Sequence, residues 1–245
     1  MTAMNSLQRV QLYLSTEHGC GYLPGNAARN AYVDPEFNMN PWRYEVLIER
    51  GFRRSGSYVY RPHCANCRLC VPARVPVEHF VPSRGQRRCW QRNTDLSLSI
   101  VDELQDEHYA LYRRYLAARH PGEGMDADNR EAFHTFLECQ WGDTQYWEFR
   151  AQNRLLALAV VDTLGNALSA VYTFFDPEEQ SRSLGTYAVL RQIEHAREAG
   201  LAYVYLGYWV PQSRKMDYKK NFRPLELLGE TGWSRAGLSH HLVEP

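Results

Sequence analysis

The rhythm of hydrophobic and polar positions changes near residue 102. Before it, apolar residues come in short clusters cut by Pro24, Pro35, Pro41, Pro62, Pro72, Pro76 and Pro82. "YEVLIERGF" (44–52) predicts a short helix ending at Gly51, and "SYVYRP" (57–62) alternates like a strand that stops at its proline. Residues 1–100 therefore predict a small, irregular, β-containing module, of a kind that gains stability from a metal staple. Beyond that point the periods lengthen. Leu104, His108, Leu111, Tyr112 and Tyr115 recur with helical spacing in 102–120, with His108 read as a satisfied histidine at the rim of the face. A second helix is predicted over 126–141, capped by Asp126 or Asp128, with Phe133, Phe136 and Leu137 facing inward. Strands follow at 144–151, 154–164 and 167–176, joined by turns at Gln152–Asn153 and Gly165–Asn166. Tyr187, Leu190, Ile193 and Ala196 place a helix in 183–200 that ends at Gly200, before a strand at 201–209.

This order, helix–helix–β–β–β–helix–β, resembles a GNAT-type acyltransferase core. The expected fold is α+β, with that core and its mixed sheet in residues 101–245 and the smaller module in 1–100. In the resembled fold the helix after the third strand begins at a loop that cradles the pyrophosphate of coenzyme A, using backbone N–H groups and the helix dipole. Here "RSLGTY" (182–187) supplies Gly185, but Tyr187 stands where a second small residue belongs. A bulky ring there is expected to crowd a phosphate, so no coenzyme A is expected.

Composition narrows the class without deciding it. The 245 residues are 44% hydrophobic and 23% charged, with no apolar run long enough to span a bilayer. No basic-then-apolar leader opens the chain, so a cytoplasmic setting with reduced thiols is expected. The net charge is zero, but it is segregated: residues 43–92 hold eleven Arg and three Glu, while 102–148 hold eleven acids and four Arg. A +8 block within fifty residues suits a polyanion such as nucleic acid, unless the fold turns it against the acidic segment. All three lysines of the chain sit in "KMDYKK", at Lys215, Lys219 and Lys220.

"HCANCRLC" (63–70) places Cys64, Cys67 and Cys70 at every third position, and Cys20 is available as a fourth thiol. Four thiolates bind either zinc or an iron–sulfur cluster, and buried free thiols are the plain alternative. Cys89 and Cys139 read as structural. His18, His63, His240 and His241 read as surface or supporting groups.

Long stretches together resemble one family. "CGYLPG" (20–25), "YEVLIERGFRRSG" (44–56), "YVYRPHCANCRLCVPARV" (58–75), "SRGQRRCWQRN" (83–93), "DPEEQSRSLGTYAVLRQIEHA" (176–196) and "YVYLGYWVPQSRKMDYKKNFRPLELL" (203–228) are similar to the arginyl-tRNA–protein transferase superfamily, in its bacterial branch acting on N-terminal Asp or Glu. The resemblance implies transfer of leucine from leucyl-tRNA to the α-amine of a protein with an acidic first residue. The alternatives are a coenzyme A-dependent N-acetyltransferase and a metal-stapled RNA-binding module without catalysis.

Under that resemblance the basic and aromatic residues acquire expected roles. Arg84, Arg87, Arg88 and Arg92 are expected to contact tRNA phosphates. Lys215, Lys219 and Arg223 recur at four-residue steps; on a helix they would share one face and meet the acceptor carboxylate or the tRNA 3′ end. Arg53, Arg54, Gly185, Tyr187 and Tyr218 are further candidates to bind substrate. Tyr208 and Trp209 are candidates to stack the terminal adenine or simply to pack. Asp176, in "FFDP", and Tyr208 are the catalytic candidates, with a turn-forming Asp-Pro as the alternative for Asp176.

Overall fold

A computed structural model describes residues 10–119 and 126–236 of the chain. Its N-terminal strands are β1 (Leu12–Leu14), β2 (His18–Gly19), β3 (Ala27–Ala28), β4 (Asn30–Val33), β5 (Arg53–Ser55), β6 (Tyr58–Pro62) and β7 (Val71–Pro76), with helix α1 (Pro41–Glu49) after β4. Next come α2 (Arg84–Gln91), β8 (Leu96–Val101), α3 (Asp106–Arg119), α4 (Arg130–Leu137), β9 (Thr144–Ala151), β10 (Arg154–Thr163) and β11 (Ala167–Phe175). Helix α5 (Leu184–Glu198) and strands β12 (Tyr203–Trp209), β13 (Glu226–Gly229) and β14 (Gly232–Arg235) complete it.

Eight strands form one mixed sheet in the order β14-β13-β7-β12-β11-β10-β9-β8. Of its pairs only β11 and β12 run parallel, as the crossover through α5 requires. The fold class is the expected α+β with a mixed sheet. However, β7, from the first hundred residues, pairs with β12 on one side and β13 on the other. Residues 1–100 and 101–245 thus share this large sheet. A smaller sheet, β1-β4-β6-β5, packs with α1 through Val33, Tyr44, Ile48 and Phe52 against Leu164, Ala167 and Tyr205.

The large sheet buries both faces. On one, α5 and α2 pack Leu184, Tyr187, Ile193 and Cys89 against Leu156, Ala159 and Val161 of β10. On the other, α3 and α4 pack Leu111, Tyr112, Phe133 and Leu137 against Leu158 and Val160. Side chains of β10 serve both layers, which explains why "LLALAVV" is apolar throughout.

Local rules account for most boundaries. Asn40 caps α1, accepting from the Arg43 N–H at 2.9 Å, and Gly51 ends it at φ +85°. At α4 the cap is Asn129, whose Oδ1 accepts from the Ala132 N–H; neither Asp126 nor Asp128 fills that place. Helix α2, not expected from the sequence, starts with a capping box: Ser83 Oγ accepts from Gln86 N–H while Gln86 Oε1 accepts from Ser83 N–H. His108 is fully buried, not at the rim. Its Nδ1 accepts the Gln105 N–H, so the ring proton sits on Nε2 and donates to Glu148 at 2.7 Å.

Candidate functional site

The two parallel strands stay together only briefly. Pairing runs from Ala167↔Tyr203 to Ser169↔Tyr205 and stops. There each strand carries an extra residue against its other neighbour, Val171 on β11 and Leu206 on β12. Bulges bend strands and increase twist, so the pair opens between residues 170–175 and 206–209.

Arg53 fills the mouth of this opening. Its Nη1 donates to Ser169 Oγ at 3.1 Å and its Nη2 to the Ala170 carbonyl at 2.6 Å, both on β11. On β12 the facing residue is Gly207, at φ +77°, where a Cβ would stand 3.3 Å from Arg53 Nε. Both bulge and missing side chain thus make room for a guanidinium. Arg53 is 7% exposed, and no carboxylate pairs with it among the described residues.

Adjacent Arg54 has the opposite surroundings. Nε and Nη2 bind both oxygens of Asp162 at 2.7 and 2.6 Å, and Nη1 donates to the Gly56 carbonyl at 3.0 Å. Nη2 also reaches Thr144 Oγ1. Burial alone would lower the Arg54 pKa, but the charge and hydrogen bonds of Asp162 raise it above the ordinary value. A residue so fully engaged is a structural tie between β5 and β10, with nothing left for a substrate.

Beside Arg53 lies Lys219, 5% exposed, whose Nζ donates to the Tyr208 carbonyl at 2.6 Å. Burial, followed by the charge of Arg53, brings its pKa down to about 7. It has no carboxylate partner among the described residues. The expected face of three cations is not formed. Asp217–Asn221 is a 3₁₀ turn, so Lys219 points inward while Lys215 and Arg223 are exposed. Tyr218, 41% exposed, lies in the same turn.

Other candidates are spent on packing. Asp176 caps the turn at Pro177–Arg182 by accepting from the Glu178 N–H, and pairs with Arg154 at 2.7 Å. Against its burial, these bonds hold its carboxyl below the usual range. Tyr208 donates its hydroxyl to the Gly51 carbonyl at 2.8 Å, and burial raises its pKa well above the ordinary value. Tyr187 does not crowd the helix start: its ring turns into the core between Phe149 and Trp90. The steric ground for expecting no coenzyme A therefore falls away. Gly185 packs on Phe175, where a Cβ would come within 3.3 Å. Trp209 is half-buried, its Nε1 without a partner.

Seven of the eleven arginines of the basic block fall into two groups. Arg53, Arg54 and Arg74 are buried, the last stacked on Tyr203 at 3.7 Å and paired with Glu226. Arg84, Arg87, Arg88 and Arg92 are all exposed, and their spacing of three, one and four puts them on one face of α2 and its C-terminal cap. None pairs with a carboxylate among the described residues. A separate groove of about 450 Å³ is lined by Asp34, Tyr58, Glu131, Glu138 and Trp141, and contains none of the residues expected to act.

All four clustered cysteines are free and half-buried. Burial, then the proximity of Cys20, Cys64 and Cys67, pushes the Cys70 thiol up to about 12. Yet among the described residues no three His, Cys, Asp or Glu side chains stand in metal-holding geometry. As placed, the thiols do not fit a metal site. His18 and His63 are exposed, and His240 and His241 lie outside the described residues.

Ser169 and Gly207 were not anticipated from the sequence, and Gly51 was expected only as the end of a helix. Gly207 had left a signal: a glycine inside a strongly β-forming strand marks a bulge or a close approach.

The order α3-α4-β9-β10-β11-α5-β12, with one parallel pair that opens, is the element order expected of a GNAT-type core. The chain belongs to the arginine-tRNA-protein transferase family: the model of its N terminus matches residues 18–88 and that of its C terminus residues 107–229. Over 232 residues it is 46% identical to an aspartate/glutamate leucyltransferase of Saccharophagus degradans, covering 94% of this chain and 98% of that protein. It is 48% identical over 233 residues to another of that name from Nitrosococcus oceani, with the same coverage. Among solved structures, FemX aligns with a TM-score of 0.48 at 9% identity, over 87% of this chain and 85% of that one. The C-terminal domain of a lysylphosphatidylglycerol synthetase from Agrobacterium fabrum aligns at 0.46 and 15% identity, over 70% and 52%. Among the described residues no helix is long and apolar enough to cross a membrane.

Proposed function

We propose that this chain transfers leucine from leucyl-tRNA to the α-amine of proteins whose first residue is Asp or Glu. The observation that carries the reading is similarity along nearly the whole chain, at 46–48% identity, to proteins named for that activity. The donor is a polyanion, and the exposed arginine face of α2 offers it a phosphate-binding surface, which positions a nucleic acid without reading its sequence. Charged tRNA is a cytoplasmic reagent, so the protein works there.

Chemically, the acceptor nitrogen attacks the ester carbonyl, the C–N bond forms, and the C–O bond to the tRNA ribose breaks. The ribose oxygen leaves as a hydroxyl, taking up a proton that balances the one lost by the amine. With an α-amine pKa of roughly 8, a useful fraction is neutral near pH 7. The reaction can therefore proceed by alignment and stabilisation of the oxyanion. Asp176 and Tyr208 are engaged in structural bonds, which is consistent with a site that has no dedicated base.

The test supplies an Asp-initiated peptide with leucyl-tRNA, arginyl-tRNA or acetyl-coenzyme A in parallel. Leucylated peptide, formed only from leucyl-tRNA, is the expected product. Product from acetyl-coenzyme A alone overturns the reading, as does tRNA binding without transfer to any peptide.

A further inference from the structure

Two cations are buried side by side in this molecule, and among the described residues neither has an anion. Arg53 bonds neutral oxygens, Ser169 Oγ and the Ala170 carbonyl; Lys219 bonds the Tyr208 carbonyl. A guanidinium has five N–H donors and an ammonium three, so most of their hydrogen-bonding capacity is unused. Like charges in a desolvated position repel, and an unpaired buried charge is costly. The chain elsewhere shows how it neutralises a buried arginine: Arg54 has Asp162, and Arg74 has Glu226. At Arg53 and Lys219 it does not.

The backbone is shaped around this pair. Arg53 starts β5 immediately after the Gly51 turn, and the Gly51 carbonyl is held by the Tyr208 hydroxyl. Tyr208 in turn presents its own carbonyl to Lys219. Gly207, next to the bulge at Leu206, takes φ +77° and has no side chain, which leaves the guanidinium its space. The two cations therefore stand where β11 and β12 part and the facing edges of two neighbouring strands are left unpaired.

We infer that Arg53 and Lys219 form the recognition site for the side-chain carboxylate of the acceptor's first residue. This rests on the proposed transfer reaction and names the residues that select its acceptor. The planar fork of Arg53 suits bidentate contact with a carboxylate, and Lys219 adds a point charge beside it. A side-chain carboxylate is slender and sits at the very start of the acceptor chain, so it can enter between parted strands. A polynucleotide phosphate is bulky and needs an open surface, which α2 supplies elsewhere. A carboxylate held here also anchors the α-amine only a few bonds away, on the edge where a crossover-helix acyltransferase sheet opens. Acceptors beginning with Asn or Gln have the same shape and no charge. They leave both cations unpaired, and a site built for a charged partner discriminates strongly against its uncharged isostere.

The experiment compares wild type, Lys219→Met and Arg53→Gln as full-length chains, with thermal melts confirming that each folds. Steady-state transfer from leucyl-tRNA is measured on peptides that begin with Asp, Asn, Glu or Gln. The expected result is a large wild-type Asp-over-Asn ratio in kcat/KM, expressed mainly in KM. In each variant that ratio should shrink at least tenfold, while the KM for leucyl-tRNA is unchanged. Calorimetric binding of the Asp peptide without tRNA should weaken by the same factor in Lys219→Met. Equal losses on Asp and Asn peptides overturn the inference, because they report a structural role. A rise in the KM for leucyl-tRNA that matches the loss assigns the cations to phosphate and overturns it as well. Wild-type protein that leucylates no peptide refutes the proposed function instead. The binding arm then still decides this site: undiminished Asp-peptide binding by Lys219→Met rejects it.

Discussion

Replacing Asp162 by Asn leaves the shape of β10 intact and removes one charge. In the native protein the Arg54 guanidinium is 0% and the Asp162 carboxylate 3% exposed, joined by two bonds of 2.6 and 2.7 Å. Thr144 donates to the same carboxylate at 2.8 Å. With Asn present, an amide NH₂ faces guanidinium donors, and the arginine cannot shed its proton. Leaving a buried charge uncompensated costs about 3–5 kcal/mol. For a chain of this size each kcal/mol moves the melting temperature by about 2–4 °C, so a fall of roughly 6–20 °C is expected. Thermal unfolding followed by circular dichroism at pH 7 measures it. The decisive control is Arg54→Met combined with Asp162→Leu. Apolar replacement of a buried pair is often tolerated, so the double variant should recover at least half of the loss despite orphaning the Gly56 carbonyl. A shift under about 2 °C for Asp162→Asn, or a double variant as unstable as the sum of the two singles, refutes the reasoning.

Three further outcomes are expected. Gly56→Ala places a Cβ 1.9 Å from the Thr135 carbonyl oxygen at a φ of +57°, so α4 must move; a loss above about 3 kcal/mol is expected in urea unfolding, and an unchanged midpoint contradicts it. Changing Arg84, Arg87 and Arg88 to Gln should weaken tRNA binding and reduce the slope of log affinity against log salt by up to about 3, with KM for the acceptor peptide unaffected. Glu148 is held below its ordinary pKa by Arg150 hydrogen bonds first and His108 after, against its burial. Its contribution is thus present above the unfolded carboxyl value of roughly 4.3 and is lost as pH falls through the lower folded value. Glu148→Gln should accordingly melt lower than wild type at pH 7, and the gap should close in acid; a gap that widens in acid would reverse the assignment.

Elements with a regular buried stripe were legible from the spacing of their apolar residues. Thr144–Ala151, Arg154–Thr163 and Leu184–Glu198 fall within a residue or two of their expected spans, because a continuous apolar run or a 3.6-residue period leaves little choice of element. Strand β7 was hidden by Pro72 and Pro76, which read as breaks. In the fold both prolines lie beyond the two-residue pairing with β13 at Ala73 and Arg74, so a sheet-interior strand tolerates them. The candidate site was legible as composition and not as geometry. Arg53 and Arg54 are adjacent and chemically identical, yet a strand sends neighbours to opposite sides. One meets Asp162, and the other meets the open end of the parallel pair. Lys215, Lys219 and Arg223 looked equivalent on an α-helical period, and the tighter 3₁₀ turn separated them. Tyr187 was read from its place in a motif, whereas its ring direction follows from the buried side of α5.

The placement of β7 between β12 and β13 also dictates how this protein is made. Its last residue, Pro76, pairs with Tyr203, some 127 residues later in the chain. At a synthesis rate of roughly 5–20 residues per second, β7 waits on the order of 6–25 seconds for its partner to leave the ribosome. During that interval the cysteine loop and the Arg53 turn are tethered to a strand with two vacant edges, a state open to mispairing. Closing such a long loop makes the final docking a slow, non-local event. The two cations and the strands that part around them can therefore come together only after β12 and the Asp217–Asn221 turn have been made. A nascent chain cut short before β12 holds Arg53 but has neither Gly207 nor Lys219 to set beside it.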